Sequence, residues 1–171
     1  PEIDTGLHTL FSLAQVAKLT KDTVIRYAVL VHDIGKAATD KSKWPNHHGH
    51  ELLGLTLQVN IADRMRIPKE HTELAALFCE HHAKLCNLER LNPSAVLSLL
   101  ESLDAIRRPA RLEKFLLACE ADARGRKGFE SRGYPQAQYI NSLLSTISSM
   151  NIKQLLHKNT TNDPAKLIRS H

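Results

Sequence analysis

Apolar residues return at helical spacing along most of this chain, and that period restricts its fold more than any other feature. Leu7, Leu10, Phe11, Ala14 and Ala17 follow Asp4 and Thr5 as candidate caps, which predicts a first helix over about residues 6–19. A second starts near Asp22 and runs through Val24, Ile25, Ala28, Leu30 and Val31, with Gly35 placed to end it in a left-handed cap. Leu52 to Met65 and Lys69 to Leu85 repeat helically on either side of Pro68. Asn92-Pro93 and Arg108-Pro109 each open a helix with proline in its first turn, where the missing N–H costs nothing, and Asn92 is a cap. Another helix runs from Gln136 to Ser148 after Pro135, and Asn162-Asp163-Pro164 opens a short last one. Residues 36–49 and the stretch ARGRKGFESRGYP carry no apolar period and read as loops. The expectation is an all-α fold, one bundle of about seven or eight helices.

Composition agrees with that reading. Aromatic residues make up 5% of the 171, while Leu, Ala, Ile and Val recur throughout, which suits helices packed by aliphatic side chains. That length fits one domain, with no room for a second catalytic one. The formal charge of +5 points to anionic partners such as phosphate esters, nucleotides or RNA, and equally to an ordinary solvated surface. Cys79, Cys86 and Cys119 are odd in number and lack CxxC spacing, so they read as buried thiols and not as a disulfide frame or a thiolate zinc site. No apolar run approaches a membrane span and no signal peptide opens the chain, so no membrane partner and a cytoplasmic location are expected. The start at Pro1 leaves a longer parent protein open.

The residues that carry chemistry are His8, His32-Asp33, the loop cluster His47-His48-Gly49-His50, His81-His82 and Asp122. All fall at ends of predicted helices or on the loop between them, where helix ends of a bundle can converge on one or two metal ions. Neutral imidazoles with ionised carboxylates suit Ni, Mn, Co, Fe or Zn, whereas a Mg site would be mostly carboxylate, phosphate and water. A lone His-Asp dipeptide is weak evidence. This one closes a very apolar helix, where unpaired polar groups would be costly and a metal would satisfy them.

The run LVHDIGK, preceded by LHTL and followed by HHGHE, resembles the HD superfamily of metal-dependent phosphohydrolases. More narrowly, DTGLHTL, VHDIGK, WPNHHGHE, LDAIRRPARLEKFLLACEADARGRKGFE and YPQ resemble the C-terminal HD domain of bacterial multifunctional CCA proteins, the tRNA nucleotidyltransferases. The resemblance covers about residues 3–139, which makes that span the core of an HD domain over 1–171 with residues 140–171 as a helical extension. It implies His8, His32 and Asp33 as metal ligands, with His50 and His82 as further ligands for a second metal. The closing Asp is Asp122, in Ala121-Asp122, or else Asp104. Relatives can carry a second His-Asp pair where this chain has His82-Ala83, so one carboxylate is missing. The implied activities are those of a phosphatase, a 2′-nucleotidase and a 2′,3′-cyclic phosphodiesterase acting on nucleotides or tRNA 3′ ends. The nucleotidyltransferase part would lie in an N-terminal domain absent here, so nucleotide addition is not expected of this chain.

The implied reaction is attack of a metal-bound hydroxide on phosphorus, the metal lowering the pKa of its water from 15.7 towards roughly 7. Asp33 orients that water or bridges metals, and Lys36 is placed to neutralise charge on a phosphate oxygen. Arg124 and Arg126 are candidates for RNA phosphates, against ordinary solvation. His47, His48 and His81 are not expected to touch metal. Trp44-Pro45 reads as a partly buried loop anchor, with a stacking edge for a base as the alternative. Two competing functions stay open: a non-catalytic helical module that holds tRNA for a missing N-terminal domain, and an HD hydrolase of free nucleotides unrelated to RNA.

Overall fold

The structure, a computed structural model, describes residues 4–149. Among these residues it is all-α, with seven α-helices and no strand. They are α1 (Thr5–Leu19), α2 (Thr23–Val31), α3 (His50–Met65), α4 (Lys69–Cys86), α5 (Pro93–Ser102), α6 (Pro109–Arg124) and α7 (Pro135–Ser149). The helix expected at Asn162-Asp163-Pro164 lies outside the described residues.

Local chemistry accounts for the boundaries. Asp4 accepts a hydrogen bond from Leu7 N at 3.0 Å, and Asp22 accepts one from Val24 N at 2.8 Å. Asn92 accepts from Ala95 N at 2.8 Å, and prolines open α5, α6 and α7. Asn92→Ala is expected to cost about 1 kcal/mol, because an orphan amide of the first turn loses its acceptor. At roughly 2–4 °C per kcal/mol, thermal denaturation followed by circular dichroism will read that loss.

The core is built where α2 packs on α4 and α6, with α1 against α6 and α2. Phe78 of α4 and Phe115 of α6 meet edge to face at 5.7 Å between centroids, surrounded by Ile25, Val29, Leu99, Leu103 and Leu112. This aliphatic and aromatic interior runs directly into the polar centre, since the Phe78 ring also lies 5.4 Å from that of His32.

Three details depart from the sequence expectations. The apolar set of α1 does not face inward: Leu7, Leu10 and Phe11 are each more than half exposed, and the buried residues of α1 are His8, Ser12, Gln15 and Val16. Of the polar side chains on that inward face, His8 meets Asp122 at 2.7 Å, while Ser12 Oγ is enclosed without a hydrogen bond. Gly35 is not a left-handed cap: α2 ends with His32 in right-handed helical geometry, and Gly35 lies within a 3-10 segment, Ile34–Ala38. Its role is close approach, since that segment rests on α3 so tightly that a Cβ at Gly35 would lie 1.9 Å from His50 O. Trp44 is more open than expected of a partly buried anchor, at 55% exposed, although its ring lies 5.7 Å from that of His47. The loop over residues 36–49 is otherwise as expected, apart from short 3-10 turns at Ile34–Ala38 and Lys41–Lys43.

Candidate metal centre

Five helices converge on a buried cluster. His8 enters from α1, His32 and Asp33 from the end of α2, His50 from the first turn of α3, His82 from α4 and Asp122 from α6. All six are buried. His50 starts α3 because Gly49 takes φ +84, a left-handed conformation natural to glycine, and turns the chain there.

The hydrogen bonds fix how the imidazoles present themselves. Nδ1 lies 2.8 Å from Val29 O in His32, 2.9 Å from Phe78 O in His82 and 3.1 Å from His47 O in His50. A carbonyl can only accept, so each Nδ1 carries a proton, and a neutral ring then offers a bare lone pair at Nε2. Those lone pairs converge on one carboxylate. His32 Nε2 is 3.3 Å from Asp33 Oδ2, while His50 Nε2 and His82 Nε2 are 3.3 Å and 3.6 Å from Asp33 Oδ1. His32 Nε2, His50 Nε2 and Asp33 Oδ1 are all buried without a hydrogen bond of ordinary geometry. A lone pair facing a carboxylate oxygen is repulsive unless a proton or a metal cation stands between them. Backbone carbonyls holding the remote ring nitrogen are also the usual means of orienting a metal-binding histidine.

A second carboxylate closes the other side. Asp122 Oδ1 is 2.7 Å from His8 Nε2 and 3.5 Å from His32 Nε2. Two triads, His8/His32/Asp122 and His32/Asp33/His82, each bring their ligand atoms within 4.8 Å of one another, and they share His32. The donor set, imidazole with carboxylate, fits a divalent transition metal.

Electrostatics agree with a cation-binding role. Burial works against charge on Asp33, yet His32, His50, His82 and Lys36 hold its carboxyl well below the usual carboxylate range. Asp122 is held low against its burial by His32, His8 and Arg126. Burial likewise opposes a charge on His32, but Asp33 and Asp122 outweigh it and raise the imidazole pKa. Two buried carboxylates that stay ionised make a strong local demand for positive charge.

The other candidates separate clearly. Lys36 Nζ is 2.7 Å from Asp33 Oδ2, and both residues line a cleft of about 740 Å³. Asp104 does not join the cluster. It sits on the turn between α5 and α6 at φ +51, where Arg107 holds it at 2.7 Å and Arg108 and Arg111 lie beyond. Arg126 borders the centre, with Nη2 3.8 Å from Asp122 Oδ1, whereas Arg124 pairs with Glu120 at 2.7 Å and donates to Arg132 O. His48 is exposed, His47 bonds to Thr39, and His81 meets Lys84 Nζ at 3.0 Å.

One contact escaped the sequence altogether. Cys86 Sγ donates to Asp122 Oδ2 at 3.7 Å, and burial together with Asp122 pushes its thiol up to about 12. It helps to leave Oδ1 as the oxygen facing His8. A cysteine with no motif around it gives no signal that it will meet a carboxylate 36 residues away.

Comparison with known proteins finds relatives along most of this chain. The Multifunctional CCA protein of Thioalkalivibrio sulfidiphilus is 47% identical over 161 residues, 94% of this chain. This chain is homologous to part of the multifunctional CCA proteins. The protein of that name from Hahella chejuensis is 42% identical over the same length, and that from Alkalilimnicola ehrlichii is 51% identical over 140 residues, 82% of this chain. The chain spans only 39%, 38% and 34% of these three relatives, so it corresponds to well under half of such a protein. No family model matches the chain, and no solved structure matches it significantly. Among the described residues no helix is long and apolar enough to cross a membrane.

Proposed function

We propose that this chain is an HD-type metal-dependent phosphohydrolase acting on nucleotide phosphate esters or tRNA 3′ ends, as a 2′,3′-cyclic phosphodiesterase, 2′-nucleotidase and phosphatase. The observation that carries the proposal is the convergence of His32, His50 and His82 Nε2 on Asp33, each ring held through Nδ1 by a backbone carbonyl. In this reading His8, His32, Asp33 and Asp122 hold one metal, and His50 and His82 complete a second position. When bound, a divalent metal such as Ni, Mn or Co lowers the pKa of water from 15.7 towards roughly 7 and polarises phosphoryl oxygens.

The chain's own residues do the rest. Asp33, ionised, supplies the negative charge on which the Nε2 atoms of His32, His50 and His82 converge. Lys36, 13% exposed in its side chain, stands where the cleft reaches the cluster and neutralises charge that grows on a phosphate oxygen. Asp122 is oriented by His8, Cys86 and Arg126. The tRNA substrate rests on the similarity to multifunctional CCA proteins. It carries with it the proposal that residues 1–171 form one HD domain, with a core over 3–139 and an extension over 140–171, that works beside an N-terminal nucleotidyltransferase domain in the cytoplasm.

The test is hydrolysis of adenosine 2′,3′-cyclic phosphate by metal-stripped protein with Ni, Mn, Co or Mg returned. Turnover should reappear with the transition metals, appear weakly or not at all with Mg, and fall at least about 100-fold in His32→Ala. Folded protein that is inactive with every metal would overturn the reading. Weight would then pass to a tRNA-holding module, whose RNA binding falls with salt and survives His32→Ala.

A further inference from the structure

The cleft that ends at Lys36 has a second wall that the metal cluster does not use. Leu10 of α1 is 62% exposed, Leu30 of α2 is 49% exposed and Trp44 is 55% exposed, and all three line this cleft together with Pro45. Large apolar side chains that leave the core to line a cleft beside ionic groups are the usual make-up of a small-molecule site, and about 740 Å³ lies within the roughly 300–1,000 Å³ such sites occupy.

Trp44 is not loosely hung there. Its ring lies against that of His47, with 5.7 Å between centroids. Thr39 Oγ1 donates its hydroxyl hydrogen to Lys36 O at 2.8 Å, so toward His47 it can only accept, and it takes the Nδ1 hydrogen of that ring at 2.5 Å. Trp44 N and His47 N bond in turn to Lys41 O and Lys43 O. One chain of contacts therefore links the indole to the backbone of the residue at the phosphate end of the cleft.

We propose that Trp44 is the stacking wall for the base of a nucleotide whose phosphate lies at Lys36 and Asp33, with Leu10 and Leu30 flanking the base. The phosphate end rests on the phosphohydrolase reading; the wall rests on the exposed apolar residues. The ligand class is a nucleoside phosphate, and an ester without a base gains nothing from this wall. Indole stacks on any base, so selection is for the presence of a base and not for its identity.

Trp44 is the sole tryptophan in the chain, so its emission reports on the wall directly, without turnover. Adenosine 2′-phosphate is titrated into the metal-loaded protein, with ribose 5-phosphate as the base-free probe, and calorimetry gives both affinities in Trp44→Ala and Trp44→Phe. The nucleotide should quench emission saturably and ribose 5-phosphate should not. Trp44→Ala should weaken the nucleotide at least about fivefold and leave ribose 5-phosphate unchanged, and Trp44→Phe should recover most of the loss. Quenching that never saturates, or a Trp44→Ala effect that is absent or equal for both probes, overturns the wall. Metal-dependent phosphate release from glycerol 2-phosphate separates the two readings. Release without saturable quenching overturns the wall and keeps the hydrolase, while saturable quenching without release keeps the wall and overturns the hydrolase.

Discussion

Asp33→Asn is expected to lose metal-dependent phosphate-ester hydrolysis by about a thousandfold, roughly 4 kcal/mol of transition-state stabilisation, while the chain stays folded. Asp33 is the group on which the cluster converges, facing His8 at 4.0 Å, His32 and His50 at 3.3 Å, His82 at 3.6 Å and Lys36 at 2.7 Å. Removing its charge removes the common anionic ligand of both proposed positions. Folding should survive because the new amide can donate to an Nε2 lone pair that the carboxylate could only oppose, and the Lys36 side chain, 13% exposed, keeps contact with water. Thermal shift separates the two effects. Metal at about 100 times its dissociation constant stabilises a site by about 2.7 kcal/mol, a rise of roughly 5–11 °C for a chain of this size. Wild type should show that rise with Ni or Mn and lose it in chelator, whereas Asp33→Asn should melt near metal-free wild type under both conditions. Retained hydrolysis in the variant would remove Asp33 from the proposed centre.

The amphipathic frame was legible because its signals are local. Asp4, Asp22 and Asn92 cap the helices they precede, and Pro93, Pro109 and Pro135 open α5, α6 and α7, each through a hydrogen bond or a missing donor within three residues. What stayed hidden depends on contacts between distant segments. Periodicity located α1 but not its inward face, because Leu7, Leu10 and Phe11 imply one side while His8, Ser12 and Gln15 are in fact buried. The partner that draws His8 inward is Asp122, 114 residues away. The choice between Asp122 and Asp104 was open for the same reason. Asp122 of Ala121-Asp122 and Asp104 of LDAIRRP were both candidates, but only Asp122 is carried by α6 into the cluster, while Asp104 is held outside it by three arginines.

Gly35→Ala is expected to destabilise the chain by about 3 kcal/mol or more, although alanine is the better helix former. The added Cβ would lie 1.9 Å from His50 O, 2.5 Å from Gly54 N and 2.9 Å from His50 C. Every one of these is backbone of α3, so no side chain can rotate away and the first turn of the helix must shift. That turn carries His50, whose Nε2 stands 3.3 Å from Asp33, so the displacement reaches the cluster directly. The expected result is a melting temperature lower by roughly 6–12 °C and a further loss of the metal-induced shift. Gly49→Ala supplies the contrast. Gly49 has φ +84, but a Cβ there would meet no atom within 4 Å, so its cost is only the left-handed backbone, about 1–2 kcal/mol. Calorimetric melting of both variants with and without Ni distinguishes crowding from backbone strain. If Gly35→Ala melts no lower than Gly49→Ala and keeps its metal response, then the contact of Ile34–Ala38 with α3 is not what holds His50 in place.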